Sequence, residues 1–269
     1  KKEKEKEKNP AIIKFLFNKH DTDLSKWFSG LREARKVLDD KGEHGSRYST
    51  KLDYKNPDVL IIQDLNTGGI LGDLKDTTSD FWNFLLHWGR SNKRSSSLSL
   101  GGSKGAGRVS FPLSSKTQCV FNITKRDDGT HLSGFALLNT CLVGNDFKAS
   151  FALCSTGKKL NGPDILGTTW ELHDDATRDQ FIQDFGIHDL KPNKATGTAL
   201  VIPLPRDGIT ENDQHYERIK AAYIENYAPL IIRNHLQPWA GHEMLKDGNI
   251  IKEAAKVEAI VVDETPRFM

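Results

Sequence analysis

Val59-Leu60-Ile61-Ile62-Gln63-Asp64-Leu65-Asn66-Thr67-Gly68-Gly69 is the stretch around which the rest of the chain is read. Four consecutive aliphatic residues with β-branched members predict a buried strand. Asp64 follows close behind, and Asn66 to Gly69 break the strand into a turn. A carboxylate therefore sits at the end of a buried strand, beside residues small enough for a flat ring to approach. Downstream, Gly101-Gly102-Ser103-Lys104-Gly105-Ala106-Gly107-Arg108 offers a backbone that can wrap polyanionic oxygens. The two segments suggest a nucleotide pocket with a base end and a phosphate end.

The bulk numbers restrict the alternatives. At 269 residues the chain can bury a substantial core, as one large domain or one and a half. Lys+Arg 38 against Asp+Glu 36 leaves no global basic field to argue for nucleic acid. Cys119, Cys141 and Cys154 are scattered and contain no C-x-x-C pair, which disfavours a disulfide framework or zinc cluster and fits a reducing cytoplasm. No apolar run approaches the ~18 residues of a membrane span, and no signal peptide is evident. Lys1 to Lys8 alternates Lys and Glu and reads as a solvated tail, or as a docking arm.

Working outward, Ala11–Phe17 predicts an edge segment or a short helix. Thr22 or Asp23 is placed to cap a helix running to about Leu38, with Leu24, Phe28, Leu31 and Leu38 on one stripe. Phe81–Trp88 predicts an aromatic-rich helix, residues 89–107 a Ser- and Gly-rich loop, and Val109–Ser115 a further helix. Gln118–Thr124 and His131–Leu142 alternate about Asp127-Asp128-Gly129, a hairpin signal. Phe147–Cys154 and Thr198–Pro203 predict strands. Arg178–Phe185 predicts a helix stopped by Gly186, and Glu211–Asn234 a long helix interrupted or kinked near Pro229. The pattern predicts an α+β sandwich: a mixed, mainly antiparallel sheet with helices on one face. Residues 1–10 form the tail, 11–206 the main domain, and 207–269 the long helix and the start of a following unit.

The Gly-rich stretch fails two phosphate-binding templates. A P-loop requires Lys-Ser/Thr after its second Gly, where Arg108 and Val109 stand. A dinucleotide fingerprint requires Gly-x-Gly-x-x-Gly straight after a strand. Protein-kinase motifs are absent, and Gly241-His242-Glu243 lacks the second His of a metalloprotease. What remains is Gly102-x-x-Gly105-x-Gly107 entering a helix, an anion cradle with Lys104 and Arg108 supplying charge, or else a plain surface loop.

Taken in order, four motifs resemble the GHKL ATPase superfamily (gyrase, heat-shock chaperone, histidine kinase, MutL) with its Bergerat fold. They are Glu33 on an early helix, Asp64 closing a strand before a Gly turn, the Gly101–Arg108 lid, and Gly197-Thr198 entering a strand. The resemblance spans roughly residues 24–235 and is nearest a bacterial multidomain ATP-binding group associated with anti-phage defence. It implies ATP and Mg²⁺ as cofactors. It implies a switch that closes and dimerises, or that drives an attached effector. Asp64 would accept a hydrogen bond from the adenine amine. Guanine presents an acceptor there and would leave a carboxylate unpaired, at a cost on the order of 1–3 kcal/mol. Thr198 would back that contact, Gly68 and Gly69 would admit the base, and Gly101–Arg108 would wrap the phosphates. Glu33 would deprotonate the attacking water, a role worth about 10²–10⁴ in rate.

Two departures accompany the resemblance. Val37 stands where the family has a magnesium-binding Asn, and an aliphatic side chain cannot ligate a hard cation. Either Asp39 or Asp40 rebuilds the metal site, or hydrolysis is weak or lost, or the chain lacks residues near Ala34–Arg35. Asn66 replaces a Gly of the Asp-x-Gly motif, a mild change because Asn tolerates positive φ. The residues read by themselves leave other roles open: a strand-end Asp at 64, an ordinary strand Thr at 198, an exposed helical Glu at 33.

Overall fold

The computed structural model describes residues 9–32, 52, 54–86, 109–138, 141–143, 146–148, 151–158, 160, 171–191, 193–207, 209 and 212–257. Eight strands form one sheet: β1 (Ala11–His20), β2 (Asp58–Leu65), β3 (Cys119–Arg126), β4 (Gly129–Leu137), β7 (Phe151–Leu153), β8 (Gly197–Pro203), β9 (Leu236–Lys246) and β10 (Asn249–Val257). Their order is β10-β9-β1-β2-β8-β3-β4-β7. Every pairing is antiparallel except β1 with β9. The short strands β5 (Cys141–Val143) and β6 (Asp146–Lys148) form a separate ribbon. The helices are α1 (Asp80–Leu86), α2 (Ser110–Leu113), α3 (Asp175–Asp184) and α4 (Asp213–Ile232). The mixed, mainly antiparallel α+β expectation is met.

Side-chain alternation splits the core into two layers. Leu16, Val59, Ile61, Phe121, Ile123 and Val201 pack on the first face. Phe17, Leu60, Ile62, Val120, Leu200 and Ile202 pack on the second. Phe181, Ile182 and Phe185 of α3 and its C-cap, with Leu24 and Phe28 of the 3-10 turn Ser25–Phe28, cover the first face. Phe81, Trp82 and Leu85 of α1 cover the second, together with Tyr216 and Tyr223 of α4. Helices on one face only is therefore corrected to helices on both. The continuous apolar run Val59–Ile62 carries the reason, since a strand wet on one side alternates with polar residues.

Three boundary expectations also change. Ala11–His20 is neither an edge nor a helix but an interior strand, held by β2 on one side and β9 on the other. Residues 213–257, read as the start of a following unit, instead contribute a helix and two strands to this same sheet. Helix α4 runs through Pro229 to Ile232, capped by the Asn212 side chain accepting from His215 N at 2.9 Å. The β3–β4 hairpin turns at Asp127-Asp128 as its sequence predicts, with Arg126 opposite Gly129. Asp174 caps α3 through Thr177 N at 2.8 Å, and Gly186 (φ +70°) ends it.

Candidate functional site at the Asp64 end of the sheet

Asp64 stands on the second face, two positions after Ile62. Strand register places it beside Ile13 of β1 and Thr198 of β8, and Thr198 beside Thr124 of β3, which faces His131 of β4. One row therefore crosses the sheet as Ile13, Asp64, Thr198, Thr124 and His131. Asp64 and Thr198, singled out from separate parts of the sequence, are direct neighbours.

The Asp64 carboxylate is half-buried. Its Oδ1 accepts hydrogen bonds from Thr198 N and from the Thr67 hydroxyl, the latter at 3.2 Å. Among the described residues Oδ2 accepts none. Burial raises the carboxyl above its ordinary range, and the bonds from Thr198 and Thr67 oppose that rise without cancelling it. The result is a desolvated acid with one oxygen that a donor would stabilise.

The turn after Asp64 explains its own sequence. Asn66 takes φ +60°, the left-handed position where the family pattern has Gly, and its Nδ2 donates to Pro10 O at 2.8 Å. Gly197 has φ +149°, and a Cβ there would run into the Asp64 carbonyl. The Gly of the Gly-Thr motif thus lets β8 close upon β2 at Asp64. Gly69 (φ +70°) has a structural duty: a Cβ would lie 2.5 Å from the Thr124 hydroxyl and 3.2 Å from Gly197 O. Its bareness admits β3 and β8, and the expected space for a base beside Gly69 is filled by them. Gly68 is exposed, with only Leu71 near.

Sequence reading passed over two residues here. Thr124 accepts from Ile70 N at 2.8 Å, and its hydroxyl lies 3.3 Å from that of Thr198. Arg126, 7% exposed, donates to Gly72 O at 2.8 Å and to Ile70 O at 3.3 Å. Its guanidinium also grips both oxygens of Asp128, through Nε at 2.7 Å and Nη2 at 2.5 Å, and meets His131 Nε2 at 3.2 Å. Burial, then the Arg126 charge, holds His131 below its ordinary range, and the neutral ring can accept from Arg126 at Nε2. The signal was present in the sequence: Asn122, Thr124 and Arg126 are polar at alternate positions of β3, opposite the apolar Phe121 and Ile123.

The other predicted residues divide. Glu33, Gly101, Gly102, Ser103, Lys104, Gly105, Ala106, Gly107 and Arg108 lie outside the described residues, as do Val37, Asp39 and Asp40. The elements that flank the Gly-rich stretch are described: α1 before it and Phe111 after it both pack on the second face, the one bearing Asp64. The segment leading to Glu33 behaves differently. Leu24, Phe28 and Leu31 pack on the first face, across the sheet from Asp64. Among the described residues no group of three His, Cys, Asp or Glu is placed to hold a metal ion. No helix there is long and apolar enough to cross a membrane.

No protein-family model matches this chain, and no curated protein matches it.

Proposed function

We propose that this protein binds ATP at the Asp64 end of its sheet and uses it as a conformational or dimerisation switch for an attached effector. One observation carries the reading. Asp64 and Thr198 are side-by-side neighbours on the face against which both flanks of the Gly-rich stretch pack. Oδ2, which accepts no bond among the described residues, suits an exocyclic amine, the donor by which adenine differs from guanine at that edge. A further donor would stabilise the desolvated carboxylate, so the site favours a base that supplies one. Magnesium would enter on the triphosphate, and when bound it neutralises phosphate charge. A role in anti-phage defence follows from the resemblance alone.

A second reading, binding without hydrolysis, has its own support. Val37 cannot ligate magnesium, and the residues before Glu33 pack on the face opposite Asp64.

Calorimetric titration with a non-hydrolysable ATP analogue and magnesium tests the site. Asp64→Asn places an amide where an acceptor is needed, and we expect affinity to fall about tenfold or more, with the GTP analogue binding weakly to both proteins. Equal affinity in the two proteins removes Asp64 from the site. Single-turnover hydrolysis, compared between the native chain and Glu33→Ala, separates the two readings: a loss on substitution supports hydrolysis through Glu33, and no turnover in either supports binding alone.

A further inference from the structure

A cavity of about 490 Å³ opens at the β7 end of the sheet, between the Lys26–Leu31 segment and strands β3, β4 and β7. Its walls are Trp27, Leu31, Phe121, Phe135, Ala136 and Ala152. Most of these belong to the first-face core, so the cavity is separate from the Asp64 row. Small residues line it: Ala136 and Ala152 are paired across β4 and β7, and a Cβ on Gly30 would meet nothing within 4 Å. The volume falls within the range of small-molecule sites, about 300–1,000 Å³.

The wall is held rigid. Trp27 Nε1 donates to Asp184 Oδ2 at 2.7 Å, and the Trp27 ring meets Phe181 edge-to-face at 5.0 Å. The cavity carries little free charge. Lys26, at its rim, is paired with Asp184 at 2.6 Å and lies 5.3 Å from the Trp27 ring centre. An anionic ligand would have to break that pair. The polar contribution is neutral: the Cys154 sulfur lies 3.7 Å from His173 Nε2, with Ser155 alongside. Burial pushes the Cys154 thiol up to about 12 and holds His173 below its ordinary range. Both groups are therefore uncharged near neutral pH, and together they can donate and accept.

We propose that this cavity is a binding site for an uncharged aromatic small molecule bearing one hydroxyl or carbonyl group. The ring lies against Trp27 and Phe121, where aromatic pairs add to area burial. The polar substituent reaches Cys154 and His173. This site is independent of the nucleotide reading, because a triphosphate finds neither free cation nor backbone cradle among its described lining residues.

The probe is 1-naphthol, titrated into the whole chain by calorimetry at pH 7.5, with intermolecular NOEs sought at the Ala136 and Ala152 methyls. We expect saturable one-to-one binding and NOEs at both methyls. Gly30→Phe and Ala152→Phe each fill the cavity, and each should weaken binding at least tenfold. Gly30 is exposed, so its variant keeps the test alive if Ala152→Phe fails to fold. A non-hydrolysable ATP analogue should leave the 1-naphthol isotherm unchanged. Absence of saturable binding, unchanged affinity in a folded Gly30→Phe protein, or displacement by the ATP analogue each overturns the proposal.

Discussion

The two faces of the sheet are built to opposite specifications. The first packs aromatic rings edge to face or tilted: Phe181 lies 4.4 Å from Phe185, 5.4 Å from Phe121 and 5.0 Å from Trp27. The second is equally apolar over β1, β2 and β8 but ends in the polar row Asp64, Thr198, Thr124 and His131. Apolar packing is non-directional and adds by area, whereas each group in that row needs a particular partner. Apolar packing thus supports both faces, and chemical selectivity is added at one end of the second.

The strongest way to break this contrast is Phe181→Ala. Removing a fully buried ring from the first face should cost about 3–5 kcal/mol in urea unfolding. The folded fraction should keep its affinity for an ATP analogue. A parallel loss of affinity would mean that the faces are not separable.

Next in size is a pH effect, also on the first face. Glu243 of β9 is buried at 6% exposure, and burial followed by repulsion from Glu253 raises its carboxyl to about 7. Lys14 and the nearby Asn18 amide pull the other way, and Asp189 adds to the rise. The folded protein holds this proton more tightly than the unfolded chain does. The stabilisation is complete below about pH 4.5 and is lost as pH rises through about 7. The loss is on the order of 3 kcal/mol. The thermal midpoint should fall between pH 5 and pH 8, and Glu243→Gln should flatten that fall. An identical slope in the variant would assign the effect elsewhere.

Gly197→Ala sharpens the comparison at the selective end. The positive φ and the Asp64 carbonyl both oppose a side chain, so about 1–3 kcal/mol of stability should go. Nucleotide affinity should fall further than that of a folded Phe181→Ala protein. Asn66→Ala is the mildest. It forfeits a tolerated left-handed residue and its bond to Pro10, about 1 kcal/mol by denaturant titration.

What the sequence disclosed follows the same division. The β3–β4 hairpin, α3 and the strand around Ile61 were legible because each is specified by neighbours in the chain: a turn dipeptide, a cap, an unbroken aliphatic run. Strand β9 was not. Leu236–Lys246 contains Pro238 and Gly241 and mixes His242 and Glu243 with apolar residues, so nothing local marks it as a strand. Its identity comes from pairing with β1. The central place of β1 was hidden for the same reason. At the site, Asp64 and Thr198 were legible as motif residues, and their adjacency is a fact of register. Thr124 and Arg126 showed only as polar alternates on β3, and their role is fixed by the Ile70–Gly72 loop lying against them.

The single parallel junction, β1 against β9, joins Ala11 to Leu236 and His20 to Leu245. A nascent chain leaving the ribosome therefore exposes one side of β1 until almost all of the described sequence has been synthesised. The antiparallel block β2-β8-β3-β4 is complete well before that. Any truncation at the end of β8 would strand Ile12, Phe15 and Leu16 on an unprotected margin, inviting intermolecular strand addition and precipitation. Residues 236–246 thus shield the margin of β1 that faces away from β2.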